Sequence, residues 1–177
     1  MTAVRLLTTG EASDDLLAQI RGLLEEAFAG HFSDEDWDNA LGGWHAVVTE
    51  GDGVVAHAAV VPRTLEVAGR PLRTGYVEAV ATMAARRRDR LGSRAMARIG
   101  EVVRREFAMG ALSTGAHEFY ARLGWERWRG PTFVRTASGL VRTEEDDDGV
   151  MVLRAGPSAA VDLTAPITCS ERPGDDW

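Results

Sequence analysis

Gly75-Tyr-Val-Glu-Ala-Val-Ala-Thr82, followed directly by Met83-Ala-Ala-Arg-Arg-Arg-Asp-Arg-Leu-Gly-Ser-Arg94, is the stretch that decides the fold. Its first part carries the aromatic and small apolar residues that a buried strand accepts, with one carboxylate, Glu78, in the middle. Its second part is a basic turn. Beyond the turn, Leu91, Ala95, Ile99, Val102, Val103 and Phe107 recur at helical spacing. A strand, a basic turn and a helix offer backbone N–H groups and positive charge to a phosphate. A carboxylate inside an apolar strand needs a partner or water. The five arginines within 86–94 repel one another unless an anion is near. The plainer alternative is a solvated edge for Glu78 and a soluble face for the arginines.

Working outward, 177 residues with 45% hydrophobic content suit one compact α/β or α+β domain spanning 1–177. A formal charge of −7 argues against general nucleic-acid binding. The charge is uneven. Carboxylates collect at 34–38, 144–148 and 175–176, and arginines at 86–94. A polyanion and a polycation could therefore each find a place. A single cysteine, Cys169, rules out an intrachain disulfide and points to a reducing compartment. No apolar run reaches membrane-spanning length, and Met1-Thr-Ala-Val-Arg-Leu-Leu7 lacks a signal-peptide layout. The expectation is a cytoplasmic protein without a membrane partner.

The N-terminal half reads as a strand over 4–8, then a helix over 13–29 with Ser13 as its N-cap and Asp14 and Asp15 in its first turn. Ser33 with Asp36 three residues on is a variant capping box, Asp standing for the usual Glu or Gln. Residues 44–49 and 54–61 read as strands joined by Glu50-Gly-Asp-Gly53, the second ended by Pro62. Residues 65–67 then pair through Ala68-Gly-Arg-Pro71 with a long strand over 72–82. This antiparallel meander excludes a doubly wound nucleotide fold.

The C-terminal half reads as a helix over 91–107, a strand over 111–113, a short helix over 116–123, extended segments at 125–128 and 132–135, and a last strand over 150–153. The tail, 155–177, has three prolines and no helical period. It is either disordered or docked by its terminal Trp177.

This order of elements resembles the GNAT superfamily of acyl-CoA N-acyltransferases, a mixed, mostly antiparallel sheet flanked by helices. The superfamily's pyrophosphate loop, Arg/Gln-x-x-Gly-x-Gly/Ala, falls on Arg87, Arg88, Asp89, Arg90, Leu91 and Gly92, with Arg90 where the first Gly is usual. Phe28–Trp37, Leu41–Ala46, Gly75–Ala81, Gly110–Ser113, Phe119–Trp125, Gly130–Thr132, Asp146–Gly149 and Gly174–Trp177 resemble, in order, segments of one family within it. That family is the aminoglycoside 2′-N-acetyltransferases, and it tolerates a second Arg in the loop.

The resemblance implies acetyl-CoA as co-substrate, no metal, a polycationic aminoglycoside as acceptor and a homodimer. It implies that Glu78 is the general base or a substrate binder and that Tyr120 protonates the departing thiolate. The Val80 N–H matches the oxyanion donor, and Val80, Thr82, the 87–92 loop, Ser113 and Thr114 match the acetyl-CoA contacts. His31, Asp36, Glu78, Ala79, Asp147, Asp175 and the terminal carboxylate of Trp177 match substrate contacts, with 155–177 completing the pocket. Clinical-type members carry an Asp where His31 stands. His45, His57 and His117 lack metal-ligand spacing and read as structural. Two alternatives stay open: a GNAT enzyme of another polyamine or peptide amine, and a non-catalytic module that binds CoA.

Overall fold

The computed structural model describes residues 1–177. The chain divides into two compact units, Met1–Val61 with Val77–Val102, and Pro62–Tyr76 with Val103–Trp177.

The first unit begins with β1 (Thr2–Thr8), α1 (Asp14–Ala27), α2 (Asp34–Asn39) and β2 (Trp44–Glu50), and it takes part of β3 (Gly53–Val67), β4 (Arg70–Thr82) and α3 (Leu91–Glu106). β1 pairs antiparallel with β2, and β2 antiparallel with β3, from Trp44 opposite Val60 to Glu50 opposite Gly53. Residues 54–61 of β3 are all buried, as a run that is apolar except for His57 requires. Ser13 caps α1 by accepting from the Leu16 N–H at 3.3 Å. The inner face of α1 is Ile20, Leu23 and Leu24, packed with Leu7, Val47, Val54 and Ala81. Full burial contributes about 1.5–3 kcal/mol for each large aliphatic side chain. Ser33 and Asp36 form the anticipated capping box, each side chain accepting from the other's backbone N–H at 2.9 and 3.1 Å.

The second unit holds β5 (Met109–Ser113), α4 (His117–Ala121), β6 (Glu126–Arg127), β7 (Thr132–Thr136), β8 (Gly139–Arg142), β9 (Val150–Arg154) and β10 (Ile167–Ser170). Neighbouring strands follow the order β6-β9-β5-β4-β3-β10-β7-β8, with β2 and β1 continuing from β3. The sheet is mixed and mostly antiparallel. Its parallel pairs are β4 with β5 and β10 with β7.

Two expectations are corrected. Pro62 does not end its strand, because β3 runs on to Val67. Pro62 is exposed, past the last residue paired to β2, Val60, and before Glu66, the first paired to β10. Its missing N–H falls where neither ladder asks for a donor. The strand over 150–153 is not the last, and the tail is not without structure. Residues 167–170 add β10, antiparallel to β3 and parallel to β7. The tail is pinned further back as well. Trp128 Nε1 donates to the Ala165 carbonyl at 2.9 Å, and the Arg129 and Gly130 N–H groups donate to Leu163. A Cβ on Gly130 would lie 2.0 Å from the Ala165 carbonyl oxygen, so only glycine permits this approach.

Asp147, expected above as a substrate contact, also braces the fold. Its carboxylate is held by both terminal nitrogens of Arg142 and by the N–H and hydroxyl of Thr132, each of the latter at 2.9 Å. It is the buckle of the β7–β8 hairpin. The Arg142 guanidinium, and then the two Thr132 donors, hold its pKa down to about 2.

Two predictions follow from this architecture. A carboxyl group whose pKa is lowered by folding stabilises the fold above its ordinary 3.8 and loses that contribution as pH falls through about 2. Asp147→Asn should therefore unfold at lower urea concentration at pH 7, and the gap to wild type should close between pH 4 and pH 2, followed by tryptophan fluorescence. At the start of α3, Arg90 sits at φ +57, a left-handed conformation that a side chain resists by about 1–2 kcal/mol. Arg90→Gly should leave the melting temperature unchanged or raise it, and the β-branched Arg90→Val should lower it.

Candidate active site

In the first unit, β4 carries Glu78, Ala79, Val80 and Thr82, all half-buried. Ala79 has φ +52, a left-handed residue inside a strand that is otherwise extended. Such a residue rotates the peptide units on either side of it. The Ala79 carbonyl accepts from His57 Nδ1 at 2.8 Å. His57 and His45 are both fully buried, as the structural reading expected. Sequence reasoning missed that His57 touches the peptide next to Glu78. The three residues are 22 and 34 positions apart along the chain, so only strand pairing reveals it.

The basic loop follows β4 on the same chain segment. Arg86 is engaged by Glu50 and Asp89, and Arg94 by the hydroxyl and carbonyl of Thr2. Arg87, Arg88 and Arg90 are exposed and make no ion pair. The opening residues of α3, Leu91 and Gly92, are buried, and the first-turn N–H groups have no intrahelical acceptor. Three unpaired guanidiniums beside free N–H groups fit a diphosphate. Asp89 is spent on Arg86, so its charge does not oppose that anion.

Asp36 uses one carboxylate oxygen on the Ser33 N–H, which leaves the other for a ligand. His31 is exposed, beside the stacked rings of Phe28 and Phe32, 5.6 Å apart.

In the second unit, Tyr120 lies on α4, 8% exposed, edge-on to Phe119 and Trp125. Burial pushes its pKa up to about 12, so the phenol stays protonated at neutral pH. Thr114 donates its N–H to the Gly149 carbonyl, and its hydroxyl accepts from the Ala116 N–H at 2.9 Å, which shapes the turn into α4. Ser113 ends β5 in an exposed position.

The end of the chain is tightly held. Arg63 donates to the carbonyls of Asp176 and Ser170 at 2.8 and 3.0 Å. Arg172 donates through its backbone N–H to the Asp176 carboxylate and through Nε to the Asp175 carbonyl. Both guanidiniums stack on the Tyr76 ring, at 4.6 and 5.3 Å from its centre. Trp177 is 7% exposed, while the Asp175 side chain faces solvent.

One acidic residue that the sequence reading passed over belongs beside them. Burial, and then the charges of Glu145, Asp175 and Asp176, raise the pKa of Asp146. Its neighbour Asp147 is neutralised by Arg142, so Asp146 is the residue of that run whose charge is felt by the tail.

Of the predicted site residues, the first unit groups Glu78, Ala79, Val80 and Thr82 on one strand, with the 87–92 loop beyond it. Asp36 and His31 lie around α2. The second unit holds Ser113, Thr114 and Tyr120 on the β5–α4 segment, and Asp175 and Trp177 on the clamped tail.

The family model described as an acetyltransferase (GNAT) domain matches residues 9–128. A curated aminoglycoside 2′-N-acetyltransferase from Mycolicibacterium fortuitum is 42% identical over 177 residues, 98% of this chain and 91% of that protein. Among solved structures, the GNAT family N-acetyltransferase YhbS from Escherichia coli, in complex with CoA, superposes with a TM-score of 0.69 at 20% identity, covering 98% of this chain and 93% of that one. A GNAT family acetyltransferase from Brucella melitensis, in complex with acetyl-CoA, gives 0.61 at 15% identity over 93% and 94%. The structures establish the fold, and the family model and the long match in sequence go further: this chain belongs to the GNAT acetyltransferases, in the aminoglycoside 2′-N-acetyltransferase family.

Proposed function

We propose that the chain transfers the acetyl group of acetyl-CoA to the 2′-amine of an aminoglycoside. The observation that carries this reading is 42% identity to a curated aminoglycoside 2′-N-acetyltransferase across nearly the whole of both chains. The charge distribution supports it. Three exposed, unpaired arginines suit the diphosphate of the donor, and the carboxylates around Asp146, Asp175 and Asp176 suit a multiply charged amine.

Acyl transfer needs a neutral amine, because an ammonium has no lone pair to attack with. Glu78 takes the proton, directly or through a water, or holds the ammonium before it is lost. As the C–N bond forms, the thioester oxygen gains negative charge, and the Val80 N–H donates to it. The C–S bond then breaks, and Tyr120, protonated at neutral pH, gives its proton to the thiolate. Asp36, Asp147, Asp175 and Trp177 contact the antibiotic, the three carboxylates holding its other ammonium groups. His31 puts an imidazole where clinical-type members have an aspartate, which removes one negative charge near the antibiotic.

The same reading takes residues 1–177 as one catalytic domain working as a homodimer in the cytoplasm. No helix of the chain is long and apolar enough to cross a membrane.

The test is mass spectrometry of products from a panel of aminoglycosides with and without a 2′-amine. One added acetyl group only on those with the amine is expected, and acetylation of peptide or simple polyamine substrates alone would overturn the reading. Tyr120→Phe should lower kcat by about 10²-fold or more, in the range of general acid–base groups, with acetyl-CoA binding kept. Glu78→Gln should lose most turnover and the acidic limb of the pH–rate profile. An unchanged profile would remove Glu78 from the role of base.

A further inference from the structure

A file of polar groups crosses the first unit and ends on the catalytic strand. The Gly42 N–H donates to Thr9 Oγ1 at 2.9 Å. Thr9 Oγ1 lies 2.8 Å from His45 Nε2, His45 Nδ1 lies 2.9 Å from His57 Nε2, and His57 Nδ1 lies 2.8 Å from the Ala79 carbonyl. Nothing in acetyl transfer as described above uses these imidazoles. Both are 0% exposed, and two polar rings are costly to bury without a task.

The direction of each link is fixed from the far end. A carbonyl only accepts, so His57 Nδ1 carries a hydrogen. A neutral ring then leaves Nε2 bare, so His45 Nδ1 must donate to it. By the same rule His45 Nε2 is bare and takes the Thr9 hydroxyl proton. Burial keeps both rings neutral, lowering their pKa values to about 4 for His45 and about 3 for His57. A second proton on His57, at Nε2, would set it against the N–H of His45 Nδ1. The hydrogen bonds therefore all point one way, from Gly42 to Ala79.

The Ala79 carbonyl and the Val80 N–H are two ends of one peptide unit. That unit is planar and trans, so fixing the oxygen aims the N–H in the opposite direction. Its orientation is not the one an extended strand would give, because Ala79 is left-handed, a state kept only when the surroundings enforce it. A hydrogen bond accepted at the carbonyl also polarises the peptide and strengthens the N–H as a donor. We infer that His57, backed by His45 and Thr9, is a positioning residue that aims and polarises the Val80 N–H toward the acyl oxygen of the donor. This rests on the reading of Val80 as the oxyanion donor.

The experiment has two arms. In wild-type protein with 15N-labelled histidine, long-range proton–nitrogen correlation at neutral pH should show both rings neutral and protonated on Nδ1. An Nε2–H tautomer at His45 or His57 overturns the relay, and this arm needs no variant to fold. In the second arm, His57→Leu removes the bond, and His57→Asn places an amide N–H near the former Nδ1. The Leu variant should lose roughly 10–10²-fold in kcat, short of the loss on deleting an oxyanion donor, with the KM for acetyl-CoA little changed. Its Val80 amide proton should move upfield. The Asn variant should recover most of both. A folded Leu variant with wild-type kcat, or with kcat and KM failing together, overturns the inference. If wild-type protein acetylates no amine, the functional reading has failed, and the Val80 amide shift of the two variants still decides whether His57 acts on that peptide.

Discussion

A peptide unit cannot turn one end without turning the other. The plane between Ala79 and Val80 is where this constraint governs the protein. An alanine held at φ +52 inside a strand is unfavourable by itself. What keeps it is the packing of β4 against β3 and an imidazole that water cannot reach. Glu78 and Val80 flank the alanine, so a carboxylate and a backbone donor inherit their directions from one backbone torsion. The rest of the first unit serves that strand. The long buried run of β3 supplies His57, β2 supplies His45, and α1 closes the apolar face beside Leu7, Val47 and Ala81.

Charge is sorted with similar economy. Of the arginines around the loop, Arg86 and Arg94 are engaged by neighbours within their own unit and fix its shape. Arg87, Arg88 and Arg90 are left for an anion. In the second unit Arg142 cancels Asp147, and Arg63 and Arg172 grip the backbone of the tail. Asp146, Asp175 and Asp176 remain, close enough to raise the proton affinity of the first of them. Like charges left facing one another in a folded protein are a standing cost that a cationic ligand relieves.

Much of this was legible in the residues. Capping at Ser13 and Ser33 depends on neighbours within one helical turn, so local sequence suffices. Leu91, Ala95, Ile99, Val102, Val103 and Phe107, the positions named from their helical spacing, are all buried. The tight turn at Ala68-Gly69, with φ of +49 and +74, is of the kind that joins twisted strands. What the sequence concealed is non-local. β10 has only four residues, and its case rests on partners a hundred positions away in β3. Asp147 and Asp146 are indistinguishable in an acidic run until Arg142 and Thr132 choose between them. The histidine pair carries no motif at all, because its members come from β2 and β3 and meet their target on β4.

β10 has a consequence for how the protein is made. It lies between β3 and β7, so both strands leave the ribosome before the neighbour that joins them, β3 a hundred positions earlier. Until then each presents an open row of backbone donors and acceptors, the surface on which chains join to one another. Slow translation or early termination ahead of residue 167 would leave a sticky half-built product. Rapid completion, or a chaperone that covers those rows, is the natural remedy.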